Sequence, residues 1–198
     1  MRLPTILCGL LGLFLTACAG TRDSRVATDA PDTVTGTGLQ SMDIEAMATK
    51  MAADIKASGA LAPGKDGERS SFFIYPLDNQ SSDRIDKEII LLAIRTELQK
   101  SVGRQIKFLD RSKDASELTQ GERGLKDQGQ VSGTNDRKIA GADYTLKGTI
   151  RSRDRTAGNL KSSYITVFFE LTSVVDQELV WSNSYSIKSE SEKSVINR

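Results

Sequence analysis

Three runs near the C-terminus constrain the fold most. Tyr144, Leu146, Gly148 and Ile150 alternate with Thr145, Lys147, Thr149 and Arg151. Ile165, Val167, Phe169 and Leu171 alternate with Tyr164, Thr166, Phe168 and Glu170. Leu179, Trp181, Asn183, Tyr185 and Ile187 alternate with Val180, Ser182, Ser184 and Ser186. A period of two puts successive side chains on opposite faces, so each run reads as a half-buried antiparallel strand. The short connection around Asp176 and Gln177 predicts a hairpin between the last two. The stretch "RDRTAGNLKSS", 153–163, reads as a longer exposed loop, and the tail after Lys188 as polar and fraying.

Something must cover the apolar face of that meander, and the sequence ahead of it supplies helices. Ile44, Met47, Ala48, Met51 and Ile55 fall at helical spacing over about 41–57, with Ser41 or Asp43 as cap and Gly59 as stop. "SFFIYPL", 71–77, is a short apolar run between turn-rich segments and reads as a buried strand. A helix from Ser82 or Asp83 to about Ser101 follows. Ile85, Ile89, Leu92 and Thr96 trace one of its faces, the run 89–94 widens it, and Gly103 closes it. "QIKFLD", 105–110, is the next strand, and strand–helix–strand predicts a parallel pair. Two short helices, 114–127 and 134–140, are expected in the Gly-containing polar stretch 111–141, the second ending at Gly141. The predicted order is α-β-α-β-α-α-β-β-β. The fold class is α/β: a mixed sheet of four to five strands, a parallel pair plus a C-terminal antiparallel meander, packed by helices.

The N-terminus sets a different constraint. The apolar run from Leu3 to Ala17 contains Pro4, Gly9 and Gly12 and is shorter than the roughly 20 residues of a membrane-spanning helix. Arg2 precedes it, and small then polar residues follow, which is the layout of an export signal. Leu15-Thr16-Ala17-Cys18 resembles a bacterial lipobox. That resemblance implies removal of residues 1–17 and lipidation of Cys18, and Ala19 after the cysteine implies the outer membrane. Residues 18–38, Thr-, Ala-, Asp- and Gly-rich, are expected to form the lipidated Cys and a flexible tether. Twenty residues reach at most about 70 Å. The globular domain then covers 39–188 and a polar tail 189–198.

Composition removes most chemistries. Histidine is absent, and the two cysteines are Cys8, inside the signal, and Cys18. Ser-His-Asp and Cys-His machinery and the usual zinc ligand sets are therefore excluded. No phosphate-binding Gly-rich loop occurs: Gly64-Lys65 is followed by Asp66. The mature chain would carry 26 basic and 26 acidic residues, since Arg2 is the one basic residue lost, and that balance gives no support to a nucleic-acid partner. Carboxylates alone could support a hydrolase, but no spacing singles out a pair. No catalytic residue, metal ligand or cofactor is expected, and the protein is not expected to be an enzyme.

"SMDIEAMATKMAADI", "DNQSSDRIDKE", "FLDRS", "AGADYTLKGTI" and "FELTSVVDQELVWSNSYSIK", in this order behind a lipobox, resemble the LpoB family of outer-membrane lipoprotein activators. Related domains occur in proteins resembling the amino-terminal domain of TolB and in curli-secretion lipoproteins. The resemblance implies a non-enzymatic, lipid-anchored, periplasm-facing monomer. Its protein partner would be a class A penicillin-binding protein, whose glycan polymerisation and crosslinking it stimulates. A structural or assembly lipoprotein of an envelope or secretion complex is the alternative. The tether is shorter than the long Pro- and Gln-rich tether of known activators. Gly148 is expected to admit a close neighbour, and Trp181 is read as core. Asp78, Asn79 and Arg84 stand where a strand gives way to a helix; they are candidates for partner binding, or else form a solvated turn with a cap.

Overall fold

The computed structural model describes residues 25–27, 30–32, 36–61, 67–136 and 138–192. Helix α1 spans Ser41–Ser58. Strands β1 (Ser70–Ile74) and β2 (Asp78–Asn79) precede helix α2 (Lys87–Val102). Strand β3 (Ile106–Phe108), helix α3 (Lys113–Asp127) and strands β4 (Tyr144–Ala157), β5 (Leu160–Ser173) and β6 (Leu179–Glu192) follow. The expected mixed sheet is present. Its order is β3-β1-β4-β5-β6, with β2 also paired to β4. The parallel part is larger than a pair, because β1 runs parallel to both β3 and β4, whereas β4, β5 and β6 form the antiparallel meander.

The run 71–77 gives one strand, β1, and a further short strand, β2, follows directly after it where none is expected, for a local reason. Pro76 has no N–H to give to the ladder. The Tyr75 N–H still reaches the Leu146 carbonyl at 2.9 Å, and pairing then resumes at Asp78 and Asn79, opposite Thr149 and Ile150.

Helix α1 forms as its apolar spacing predicts. Met47, Ala48, Met51, Ala52 and Ile55 are buried, and Gly59 ends the helix at φ 69°. Its start differs slightly. Gln40 is the N-cap, and its N–H donates to the Asp43 carboxylate at 3.0 Å. Ser41 lies inside the helix; its N–H and Oγ donate to Asp32 at 3.2 and 2.8 Å. With Thr37 buried as well, the segment expected to be a free tether is held to the domain at Asp32 and Thr37.

Helix α2 departs from expectation in start and in face. Ser82 and Asp83 belong to the preceding turn, and the cap is Asp86, which accepts from the N–H groups of Glu88 and Ile89. The core face is Ile90, Leu91, Ile94, Leu98 and Val102. Ile89 and Leu92, expected to point inward, are 54% and 51% exposed. Both stripes have helical spacing, and the one from Ile90 to Val102, a little over three turns, takes the core.

Residues 113–127 form α3, capped by Ser112, which accepts from the Ala115 N–H at 3.2 Å. None of its residues is buried. The second expected helix is not there: residues 134–136 and 138–140 are irregular, and Gly141 therefore ends no helix. Asn135 instead ties this stretch to the end of α3, its amide donating to the Arg123 carbonyl and the Asp127 carboxylate at 2.9 and 2.7 Å.

The largest correction is at 153–163. It is no loop: β4 and β5 stay paired to Ala157 and Leu160, joined by Gly158 and Asn159 alone. Gly158 sits at φ 60°, the first central position of a II′ turn. Strand β6 follows the extension past Lys188 to Glu192. The result is a three-stranded tongue beyond the helix-covered part of the sheet.

The core lies between α1, α2 and one sheet face. It contains Phe72, Ile74, Leu146, Ile150, Ile165, Val167, Phe169 and Leu171, with Trp181 8% exposed. Gly148 is a point of close approach: a Cβ there would run into Leu77 Cδ2 and stand 2.9 Å from Phe169 Cε1.

A candidate docking surface on the open sheet face

The alternation that buries one sheet face sends the intervening residues to the other. On β4 these are Lys147, Thr149, Arg151, Arg153 and Arg155. Register places Lys147 across from Glu170, Thr149 from Phe168, Arg151 from Thr166, Arg153 from Tyr164 and Arg155 from Ser162. Phe168 and Tyr164 are 43% and 45% exposed, so two rings lie open on a flat surface beside three guanidiniums.

Part of this face is fixed by side-chain hydrogen bonds. The Tyr164 hydroxyl donates to Ser186 Oγ at 3.0 Å, and the Thr166 and Ser186 hydroxyls lie 3.0 Å apart. Hydrogen bonding with Ser186 and then Thr166 holds the Tyr164 phenol below its ordinary value. Gln80, Lys147, Thr149, Arg151, Phe168 and Glu170 line a shallow hollow here.

Of the three candidates read from the sequence, Asp78 and Asn79 lie beside β4 at one edge of this face, with different roles. Asp78 accepts from the Gln80 amide at 2.7 Å, and Gln80 Oε1 accepts from Arg151 Nε at 3.1 Å. Asp78 thus connects through Gln80 to the arginine row. Asn79 organises the turn: its Oδ1 accepts from the Ser81 N–H and hydroxyl, and its amide donates to the Asp83 carbonyl at 3.0 Å. Arg84 is exposed on the approach to α2 and does not join the other two. The next turn residue, Ser82, bonds to Ser152 and to the Asp154 carboxylate, which pins the turn against the tongue.

The sequence pattern does not mark Arg151, Arg153 and Arg155 as a row, because the strand run ends at Arg151 and 153–163 reads as loop. The available signal is the Gly-Asn pair, a two-residue hairpin turn, after a stretch in which arginine recurs at every second position. Cys18 and the apolar run before it lie outside the described residues. Among the described residues no acidic cluster could hold a metal ion, and no helix is long and apolar enough to cross a membrane. With no histidine in the chain, the face offers charge, aromatic surface and hydroxyls for binding.

The family model described as peptidoglycan-synthase activator LpoB matches residues 43–187. No curated protein matches the chain. Among solved structures, the LpoB C-terminal domain from Salmonella enterica is similar at 13% identity and a TM-score of 0.45, over 73% of this chain and 98% of that one. The corresponding Escherichia coli domain is similar at 14% identity and the same TM-score and coverage. The lipoprotein GNA1162 from Neisseria meningitidis is similar at 19% identity and a TM-score of 0.40, over 64% of this chain and 88% of that one. The family match runs from the first turn of α1 to the middle of β6 and so takes in every element of the fold: the chain belongs to the LpoB family of peptidoglycan-synthase activators.

Proposed function

We propose that this protein is an outer-membrane lipoprotein, anchored through Cys18 and facing the periplasm, that binds a class A penicillin-binding protein and stimulates peptidoglycan synthesis. The observation that carries the reading is the family match across residues 43–187. The lipobox order Leu15-Thr16-Ala17-Cys18 supports the anchor. An open, polar and aromatic sheet face suits a protein partner better than a substrate. An activator of this kind works by binding the active conformation of its synthase more tightly than the inactive one, which shifts the population toward activity.

Reach limits where that meeting takes place. From Cys18 to Asp32, the first of the described residues that bonds to α1, the chain extends at most about 50 Å at roughly 3.5 Å per residue. The synthase must therefore present its docking site well out from its own membrane, or the two membranes must stand close.

Two measurements test the reading. The full chain, purified in detergent and mixed with a class A penicillin-binding protein, should raise the rate of glycan polymerisation from lipid-linked precursor. An unchanged rate, together with no complex by crosslinking, refutes it. Cys18→Ser should move the chain from the outer-membrane fraction to the soluble periplasm, and an unchanged distribution refutes the anchor.

A further inference from the structure

Arg151, Arg153 and Arg155 stand at alternate positions of β4, roughly 7 Å apart on one face. Among the described residues none of the three is in an ion pair. Of the other charges on that face, Lys188 pairs with Glu190 at 2.7 Å and Lys147 lies across from Glu170. Tyr164 and Ser162, rather than carboxylates, lie across from Arg153 and Arg155. Three like charges at this spacing repel one another, and the Arg151 bond to Gln80 offsets this at one end of the row only. The rigid ladder beneath nevertheless holds it in line.

We infer that the Arg151–Arg153–Arg155 row, with Tyr164 and Phe168 beside it, is the surface on which the synthase docks, and that it receives an acidic face of that protein. The inference rests on the proposed function and adds the site and the partner's charge. Three features favour a protein over another polyanion. Arginine and aromatic residues are the types enriched in protein interfaces and their hot spots. Guanidiniums bind carboxylates through two parallel hydrogen bonds, which a fixed row can set in register. The chain as a whole is close to neutral, so the row is a local device and not part of a polyanion-binding field. Because the tongue projects past the helices, α1 and α2 do not obstruct a partner approaching its open face.

The test uses the full chain in detergent with a class A penicillin-binding protein, following affinity at several salt concentrations and the stimulation of polymerisation. The Arg153→Glu/Arg155→Glu double variant should bind at least tenfold more weakly, stimulate correspondingly less and lose most of the salt dependence. Its circular dichroism and melting temperature should be unchanged. Arg104→Glu, a charge reversal in the exposed turn after α2, should behave as wild type. If wild type binds and the double variant binds within twofold of it, the docking inference is overturned while the proposed function stands. Wild type that binds no synthase overturns both. If the double variant instead loses binding only to phosphatidylglycerol vesicles, the row serves a lipid surface and the inference is wrong.

Discussion

Asp54 offers the sharpest test of how α1 is fixed to the sheet. Its carboxylate accepts from Trp181 Nε1 at 2.9 Å and from the Asn183 amide at 2.7 Å, joining residues more than 120 positions apart in sequence. Asp54→Ala removes both bonds and leaves the indole N–H of a nearly buried tryptophan without its acceptor. A hydrogen bond to a charged group contributes about 1.5–3 kcal/mol. Asp54 and Asn183 are half-exposed, so water replaces part of the loss, and alanine regains about 0.5 kcal/mol of helix propensity. The net cost should be about 2–3 kcal/mol, or a drop in Tm of about 6–10 °C for a chain of this size. Trp181 is the single tryptophan, so urea unfolding followed by its fluorescence reports from the clamp itself. Asp54→Asn keeps one acceptor and should recover about half of the loss. A double-mutant cycle with Trp181→Phe should show coupling of about 1 kcal/mol or more. An Asp54→Ala protein within 0.5 kcal/mol of wild type would show that the carboxylate does not hold the helix.

Two further outcomes follow from packing and titration. Gly148→Ala should destabilise by about 1–3 kcal/mol in denaturant unfolding, because the added carbon meets the Leu77 side chain and the Phe169 ring; Leu77→Ala in the same chain should recover part of that, and a stable single variant refutes the close approach. Burial, then the Asp43 charge, push the Tyr185 phenol above its ordinary value, so the folded state holds that proton more tightly than the unfolded state does. This contribution is whole below about pH 10.0, the ordinary value, and is lost as pH rises through the raised one. Unfolding midpoints measured across that range should fall less steeply in Tyr185→Phe than in wild type, and parallel profiles would remove the tyrosine as the cause.

The fold was legible wherever burial writes a period into the residues. The stripe of Met47, Met51 and Ile55 and the alternation of Leu146, Ile150, Val167 and Leu171 each have one apolar face, and each element formed as expected. Pattern failed in α2 for a specific reason. The helix carries two apolar stripes, one through Ile89 and Leu92 and one through Ile90, Ile94 and Leu98, and periodicity does not rank them. Packing does: the second stripe is the one that joins the core cluster with residues of α1 and the sheet. The helix start was misread because Ser82 and Asp83 are both competent caps. Ser82 bonds instead to Ser152 on the tongue, and it is the Asp83 carbonyl, not its carboxylate, that the Asn79 amide holds in the turn.

The candidate site was hidden by the same logic run in reverse. A strand becomes visible in sequence when one of its faces is apolar. Arg151 to Ala157 has polar or small residues on both faces, so its strand character rests on the ladder below it and on the turn at Gly158. Core formation does not explain fourteen-residue strands here, since the buried residues of β4 end at Ile150. The extra length adds hydrogen-bonded backbone that fixes the spacing of exposed side chains and buries little else. A rigid extension that contributes little to the core, and carries arginines with no carboxylate of their own opposite, is what a surface shaped for another molecule requires. The residues most informative about binding were for that reason the ones in which hydrophobic pattern was weakest.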